Sequence, residues 1–135
     1  MDLKLEEKTT GYIVNVWNPL NFQIHLDIPP KEDLYYDTYQ YKDITNDPTP
    51  PKEGYVYRCR LKNLQMKTMN ENERYHEILN DVINRINRSN GWVIVKICYV
   101  DKYKRLIVDM FDPITLENYY DLLTIPRYNN LIEKY

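Results

Sequence analysis

Alanine is absent from the chain, serine occurs only as Ser89, and glycine is confined to Gly11, Gly54 and Gly91. Three isolated glycines exclude a glycine-rich phosphate loop. The lone serine, in Arg88-Ser89-Asn90-Gly91, sits in a helix-ending turn rather than a nucleophile elbow, which leaves serine catalysis unsupported. Histidine and cysteine are as scarce. His25 and His76 belong to no metal-spaced cluster, so no metal site or other cofactor is expected. Cys59 and Cys98 lie inside apolar runs, where buried thiols are a simpler expectation than a disulfide. No apolar run approaches the roughly 20 residues needed to span a bilayer, and Met1 to Lys8 lacks the basic start and apolar segment of a secretory signal. An intracellular protein with no membrane partner is expected.

What is present fits a single globular domain. The chain has 135 residues, 43% of them apolar and 28% charged, enough for one core and too few for two ordinary domains. A formal net charge of -2 argues against a surface devoted to nucleic acid, while leaving room for a local basic patch. Tyrosine, at 14 residues, is abundant, as are asparagine, isoleucine and lysine. All four have AT-rich codons, so an AT-rich genome accounts for the bias. Many large DNA viruses have such genomes, although composition does not choose among hosts.

Phe22, Ile24, Leu26 and Ile28 alternate with polar residues, which predicts a strand with one buried face. Gly11 to Trp17 reads as its hairpin partner across the turn Asn18-Pro19-Leu20-Asn21. Tyr55 to Lys62 alternates as well, and sets Arg58 and Arg60 side by side on its polar face. Thr68-Met69-Asn70-Glu71 fits a capping box, and Ile78, Leu79, Val82, Ile83 and Ile86 repeat at helical spacing, so a helix is predicted from about Asn70 to Asn87. Ser89-Asn90-Gly91 stops it. Trp92 to Val100 and Arg105 to Phe111 are the strongest strands. Thr115-Leu116-Glu117-Asn118 then predicts a second helix, ended by Pro126, and the tail from Arg127 to Tyr135 is weakly helical at best. Between Pro29 and Gly54 proline pairs break the pattern. A long loop or arm is expected there, with a short strand around Tyr39 to Tyr41. It is rich in acidic residues, and its tyrosines, Tyr35, Tyr36, Tyr39 and Tyr41, are suited either to covering the domain or to contacting a partner protein.

The order of strands and helices is that of a five-stranded OB-type Greek-key barrel, mainly β in the α+β class, with a helix between the third and fourth predicted strands and a C-terminal helix. Within that order, Tyr57-Arg58-Cys59-Arg60-Leu61-Lys62-Asn63-Leu64 resembles the "R-L-x-G-I-D" strand of the staphylococcal nuclease-like (thermonuclease) family. Asp101-Lys102-Tyr103-Lys104-Arg105 is similar to its "D-K-Y-G-R" hairpin. The resemblance runs from about Gly11 to Thr124, leaving out the insertion at 29–54. It implies that Arg60 and Arg105 stand where the family places its two phosphate-contacting arginines. It also implies that the family's metal-binding and water-activating carboxylates are replaced by Leu20, Gln65 and Thr68.

Calcium needs several anionic oxygens, which leucine, glutamine and threonine do not supply. The expectation is therefore a catalytically inactive nuclease-like domain, a single unit over 1–135, acting as a protein-interaction or structural module. The tyrosine arm would make the contact, and Arg58, Arg60, Lys102, Tyr103 and Arg105 would form a candidate site for phosphate or single-stranded DNA or RNA. The alternative is an active metal-dependent phosphodiesterase whose carboxylates have been rearranged, with Glu71, Glu73, Asp101 and Asp109 available.

Overall fold

The computed structural model of the chain describes residues 5–28, 34, 36–40, 53–67 and 73–135. These form β1 (Lys8–Asn18), β2 (Asn21–Leu26), β3 (Tyr36–Gln40), β4 (Glu53–Leu61), β5 (Leu64–Met66), α1 (Glu73–Arg88), β6 (Trp92–Val100), β7 (Leu106–Phe111), α2 (Tyr119–Leu123) and β8 (Ile132–Lys134), with a 3-10 turn at Pro126–Tyr128 before β8.

Five strands close on themselves. β1 runs antiparallel to both β2 and β6, β6 is antiparallel to β7, β7 is parallel to β4, and β4 returns antiparallel to β2. This circuit is the OB-type barrel that the order of elements predicts. Period-two alternation fills it: Phe22, Ile24 and Leu26 from β2, Tyr57, Cys59 and Leu61 from β4, Val93, Val95 and Ile97 from β6, and Val108 and Met110 from β7 are all buried. Ile78, Val82 and Ile86, four residues apart along α1, complete the core from one helix face.

The turns follow from their residues. Asn18 Oδ1 accepts the backbone N–H of Leu20 at 2.8 Å and closes the β1–β2 hairpin. α1 stops where expected: Asn90 and Gly91 take positive φ, 55° and 90°, and the Gly91 N–H donates to the Ile86 carbonyl at 3.0 Å. A Cβ at Gly91 would lie 2.7 Å from the ring of Tyr12, so space and conformation both demand glycine.

Three elements differ from the sequence reading. The strand within the insertion is Tyr36–Gln40, earlier and longer than expected, because β4 begins at Glu53 and offers it a template. β3 pairs with only the first half of β4, from Tyr36↔Tyr57 to Gln40↔Glu53, and Leu34 beside it is buried. The tail is a strand rather than helix: β8 pairs with β5 in a second sheet, and Leu131 and Ile132 are buried there. The second helix starts at Tyr119, with Asn118 Oδ1 accepting the Tyr120 N–H at 2.9 Å. Leu116, at φ 66°, cannot belong to a right-handed helix, so Thr115 serves a tight turn instead of a cap. The helix of 16 residues begins at Glu73, and the capping box at Thr68 to Glu71 lies outside the described residues.

Candidate functional site

The parallel register between β4 and β7 places the basic residues. Cys59 lies beside Leu106 and both are buried, so Arg58, Arg60 and Arg105, each adjacent in sequence to one of them, belong to the outer surface of neighbouring strands. The two arginines of the nuclease-like motifs thus share one side of the barrel. Their side chains are already engaged. Arg105 directs Nε and Nη2 at Asp101 Oδ2, both at 2.8 Å. Asp101 Oδ1 also accepts the backbone N–H groups of Tyr103, at 3.0 Å, and Arg105, at 2.9 Å. Burial would raise the Asp101 pKa, but these N–H groups and the guanidinium outweigh it and hold the carboxyl below its ordinary range.

Arg60 donates from Nη2 to the carbonyl of Leu64 at 3.0 Å, while its buried Nε has no hydrogen-bond partner among the described residues. Arg58 stacks 5.0 Å from the centroid of the exposed Trp17 ring. At the tip of the turn, Tyr103 is exposed, with the Arg105 guanidinium 5.2 Å and the Lys102 ammonium 5.1 Å from its ring centroid. The face is therefore a row of cations, each resting on an aromatic ring or on the chain's own oxygens.

The nuclease-like motifs that these two turns resemble have a glycine in each turn. Their glycines fall on Asn63 and Lys104, and both residues take the left-handed backbone conformation, φ 63° and 66°. Leu20, by contrast, is 1% exposed and part of the core, and Gln65 is exposed on β5. Thr68 and Glu71 lie outside the described residues. Glu73 is exposed at the start of α1, and Asp109 pairs with Lys96 at 3.5 Å and accepts a weak bond from Cys98 Sγ at 3.6 Å. No group of three or more His, Cys, Asp or Glu among the described residues could hold a metal ion.

A second aromatic surface lies where β3 meets β4. Tyr36, 39% exposed, meets Tyr55 edge-on with centroids 5.7 Å apart, and Tyr57 at 6.4 Å. Tyr57 is fully buried and its hydroxyl donates to the Ile28 carbonyl. Burial, followed by the neighbouring Tyr36, Tyr55 and Cys59, pushes its pKa up to about 12. Of the other arm tyrosines, Tyr39 contributes backbone pairing to β3, and Tyr35 and Tyr41 lie outside the described residues.

One cluster escaped sequence reasoning. Asp112, 3% exposed, accepts Arg85 Nη1 at 3.0 Å and the backbone N–H of Ile114 at 2.8 Å. Burial alone would raise its pKa, but these bonds outweigh it and hold the carboxyl below its ordinary range. Only the Asp112-Pro113 turn signal hinted at this residue, since its arginine lies 27 positions away. Beside the cluster, between α1 and the segment from Tyr119 to Tyr128, is a cleft of about 290 Å³. A wider groove of about 670 Å³ runs between β1 and α1. Both cysteines are buried and unbridged. Among the described residues no helix is long and apolar enough to cross a membrane.

No protein-family model matches the chain, and no curated protein does. Solved structures do. The human TDRD1 extended Tudor domain, in complex with a symmetrically dimethylated peptide, superposes with a TM-score of 0.54 at 9% identity, over 91% of this chain and 90% of that one. The extended Tudor domain TD3 of mouse TDRD1, in complex with a MILI peptide containing dimethylarginine 45, superposes with a TM-score of 0.56 at 9% identity, over 100% and 97%. At that identity the likeness is one of fold alone.

Proposed function

We propose that this chain is a protein-interaction module built on a nuclease-like barrel, and that it does not cleave nucleic acid. The observation that carries this reading is Arg105. Its Nε and Nη2 both rest on Asp101 Oδ2 at 2.8 Å, so binding a phosphate there would first require breaking a charge-assisted pair. Leu20, buried in the core where the motif has a carboxylate, supports the same conclusion. The Tudor neighbours were solved with peptides, which adds a precedent for peptide binding on this barrel.

The partner would meet the β3–β4 edge, where Tyr36 stands exposed on a packed pair of rings. Tyr36 and Tyr55 touch each other at 5.7 Å and 82°, rather than standing apart around a guest. These two rings do not form a cage for a methylated cation, which needs its aromatic faces free. An unmodified peptide is therefore the expected ligand. Binding of matched peptides with and without dimethylarginine, tested against the wild type and Tyr36→Ala, examines this. Preference for the unmodified peptide, lost in Tyr36→Ala, supports the reading, and strong selectivity for the methylated form would overturn the choice of ligand.

Single-stranded nucleic acid is a second reading, favoured by the cations on exposed rings at Trp17–Arg58 and Tyr103–Arg105. Fluorescence anisotropy with labelled DNA and RNA at low salt separates the two. Salt-sensitive binding abolished by Arg60→Ala and Arg105→Ala would favour nucleic acid, and metal-dependent cleavage in the same mixtures would overturn the non-catalytic reading.

A further inference from the structure

β1 is paired on both sides for only part of its length. β6 runs beside it from Lys8 to Tyr12, and the Gly91 carbonyl then accepts the Ile13 N–H at 2.8 Å. From Val14 onward no described strand pairs with that side. β2 continues along the other side to Asn18, but its register is irregular between Ile13 and Asn15, which leaves Val14 without a register partner on either strand. The open side borders the groove of about 670 Å³ between β1 and α1, and every residue from Tyr12 to Val16 lines it. Successive side chains of a strand point to opposite faces, so an unbroken run of lining residues means that the groove follows the edge of β1, where its backbone groups are presented. The opposite wall is one stripe of α1, Ile83, Ile86 and Asn87 at helical spacing, followed by Asn90. Val14, Val16 and Ile83 are half-buried, Asn15, Asn87 and Asn90 are exposed, and no charged residue lines the groove. An open edge invites aggregation, which proteins counter with charge or proline. β3 and β8, each paired on one side among the described strands, carry Asp37 and, on β8, Glu133 with Lys134. β1 carries neither charge nor proline from Tyr12 to Asn18.

We propose that this groove binds an extended, uncharged segment of a partner polypeptide, which adds as a strand along β1 from Val14 to Trp17 and lies between that edge and the Ile83–Asn87 stripe of α1. In strand addition the main-chain hydrogen bonds supply affinity, and alternate side chains supply selectivity through the surfaces they meet, here Val14, Val16 and Ile83. The amides of Asn87 and Asn90 each offer donors and an acceptor, which suits a peptide backbone, and the lining offers an ion no counter-charge. The volume of about 670 Å³ falls within the roughly 300 to 1,000 Å³ of ligand sites, ample for a few residues of strand. A second copy of the chain fits less well, because its matching edge is walled by its own α1 and two recessed edges cannot meet. The groove shares no residue with the tyrosine edge and does not depend on the function proposed for it.

The test titrates the intact chain with acetyl-Thr-Val-Thr-Val-Thr amide, an uncharged strand-forming peptide, following backbone amide NMR shifts. Saturable shifts are expected from Val14 to Trp17 and at Ile83, Asn87 and Asn90, with slowed hydrogen exchange of the β1 amides on the open edge. Two N-methylated forms of the peptide, blocked on one edge or on the other, read the hydrogen bonds directly. One form should bind at least about tenfold more weakly than the other, because an added strand bonds through a single edge. Lysine in place of both valines should weaken the peptide by a similar factor. Asn87→Trp, which fills the groove from an exposed helix position, should also weaken binding by about tenfold while leaving the melting temperature unchanged, and this separates lost binding from lost folding. Equal effects of the two methylations, undiminished binding to Asn87→Trp, or the absence of saturable shifts would overturn the site. Shifts confined to Tyr36 and Tyr55 would overturn it and leave the tyrosine reading in place. The same β1 shifts produced by raising the protein concentration without peptide would overturn it in favour of a second copy.

Discussion

β7 is bracketed by two aspartate–arginine pairs that look alike and do different work. Asp101 precedes the strand and Asp112 follows it. Each carboxylate accepts two backbone N–H groups of its own turn, and each turn contains a residue with positive φ, Lys104 at 66° and Leu116 at 66°. The difference lies in where the arginine comes from. Arg105 is four residues from Asp101, so that pair closes a turn and nothing more. Arg85 reaches Asp112 from α1, with the carboxylate side chain only 4% exposed, so that pair ties a helix to the barrel. The same local device becomes a tertiary tie when its cation is distant in sequence and its anion is dry.

This contrast can be broken by mutation. Asp112→Ala should have the largest effect, about 2–3 kcal/mol less stable to urea, because it removes the buried acceptor of two turn N–H groups and leaves Arg85 only Glu117 at 3.5 Å. Asp101→Ala should cost about 1 kcal/mol by the same measurement, since its partner can turn to water. A loss at Asp101 equal to that at Asp112 would show that the distance of the arginine is irrelevant.

Acid unfolding sharpens the comparison. Both carboxyls have folded-state pKa values below their ordinary 3.8, so their contribution is complete above that value and is lost as pH falls through the lowered ones. Urea midpoints measured downward from neutral pH should fall as pH drops below 3.8, and the fall should be shallower in Asp112→Asn and in Asp101→Asn than in the wild type. On the alkaline side Tyr57 and Tyr128, raised from 10.0 to about 12, contribute stability below pH 10 that is lost as pH rises through about 12.

The smallest effects belong to the left-handed residues. Lys104→Gly and Leu116→Gly should each be neutral to stabilising by up to about 1 kcal/mol in thermal melts, because glycine adopts positive φ without a Cβ clash. Destabilisation by either would mean that its side chain contributes more than its backbone strain costs.

Much of the barrel was legible because strand alternation and helical spacing report burial directly. Phe22, Ile24 and Leu26, or Ile78, Val82 and Ile86, declare their faces without knowing what covers them. The second sheet was not legible. Ile132-Glu133-Lys134 is too short to show a period, and becomes a strand only because Leu64 to Met66 waits beside it. The tyrosine segment was half legible: its prolines announced a break, while β3 depends on the extension of β4. At the candidate site the alternation placed Arg58 and Arg60 on one face, and only the resemblance to the nuclease-like motifs associated Arg105 with them. Neither could show that Asp101 occupies Arg105, since a charged residue near a turn carries no sign of where its side chain points. Asp112 was invisible for a related reason. Its significance lies in a partner that only folding brings near.

β4 has a divided edge, and this sets an order of assembly. One side pairs with β2 along Tyr55 to Arg60, while the other is shared, β3 along Glu53 to Tyr57 and β7 along Cys59 to Leu61. The β3–β4 hairpin needs the shortest loop closed, the pairing to β2 a longer one, and the parallel pairing to β7 the longest, with α1 and β6 in between. A slip of one residue between β4 and β2 would turn Arg58 and Arg60 into the core and Cys59 out of it. The register between β4 and β2, which needs a shorter loop closed than the pairing to β7, thus limits whether the barrel can shut.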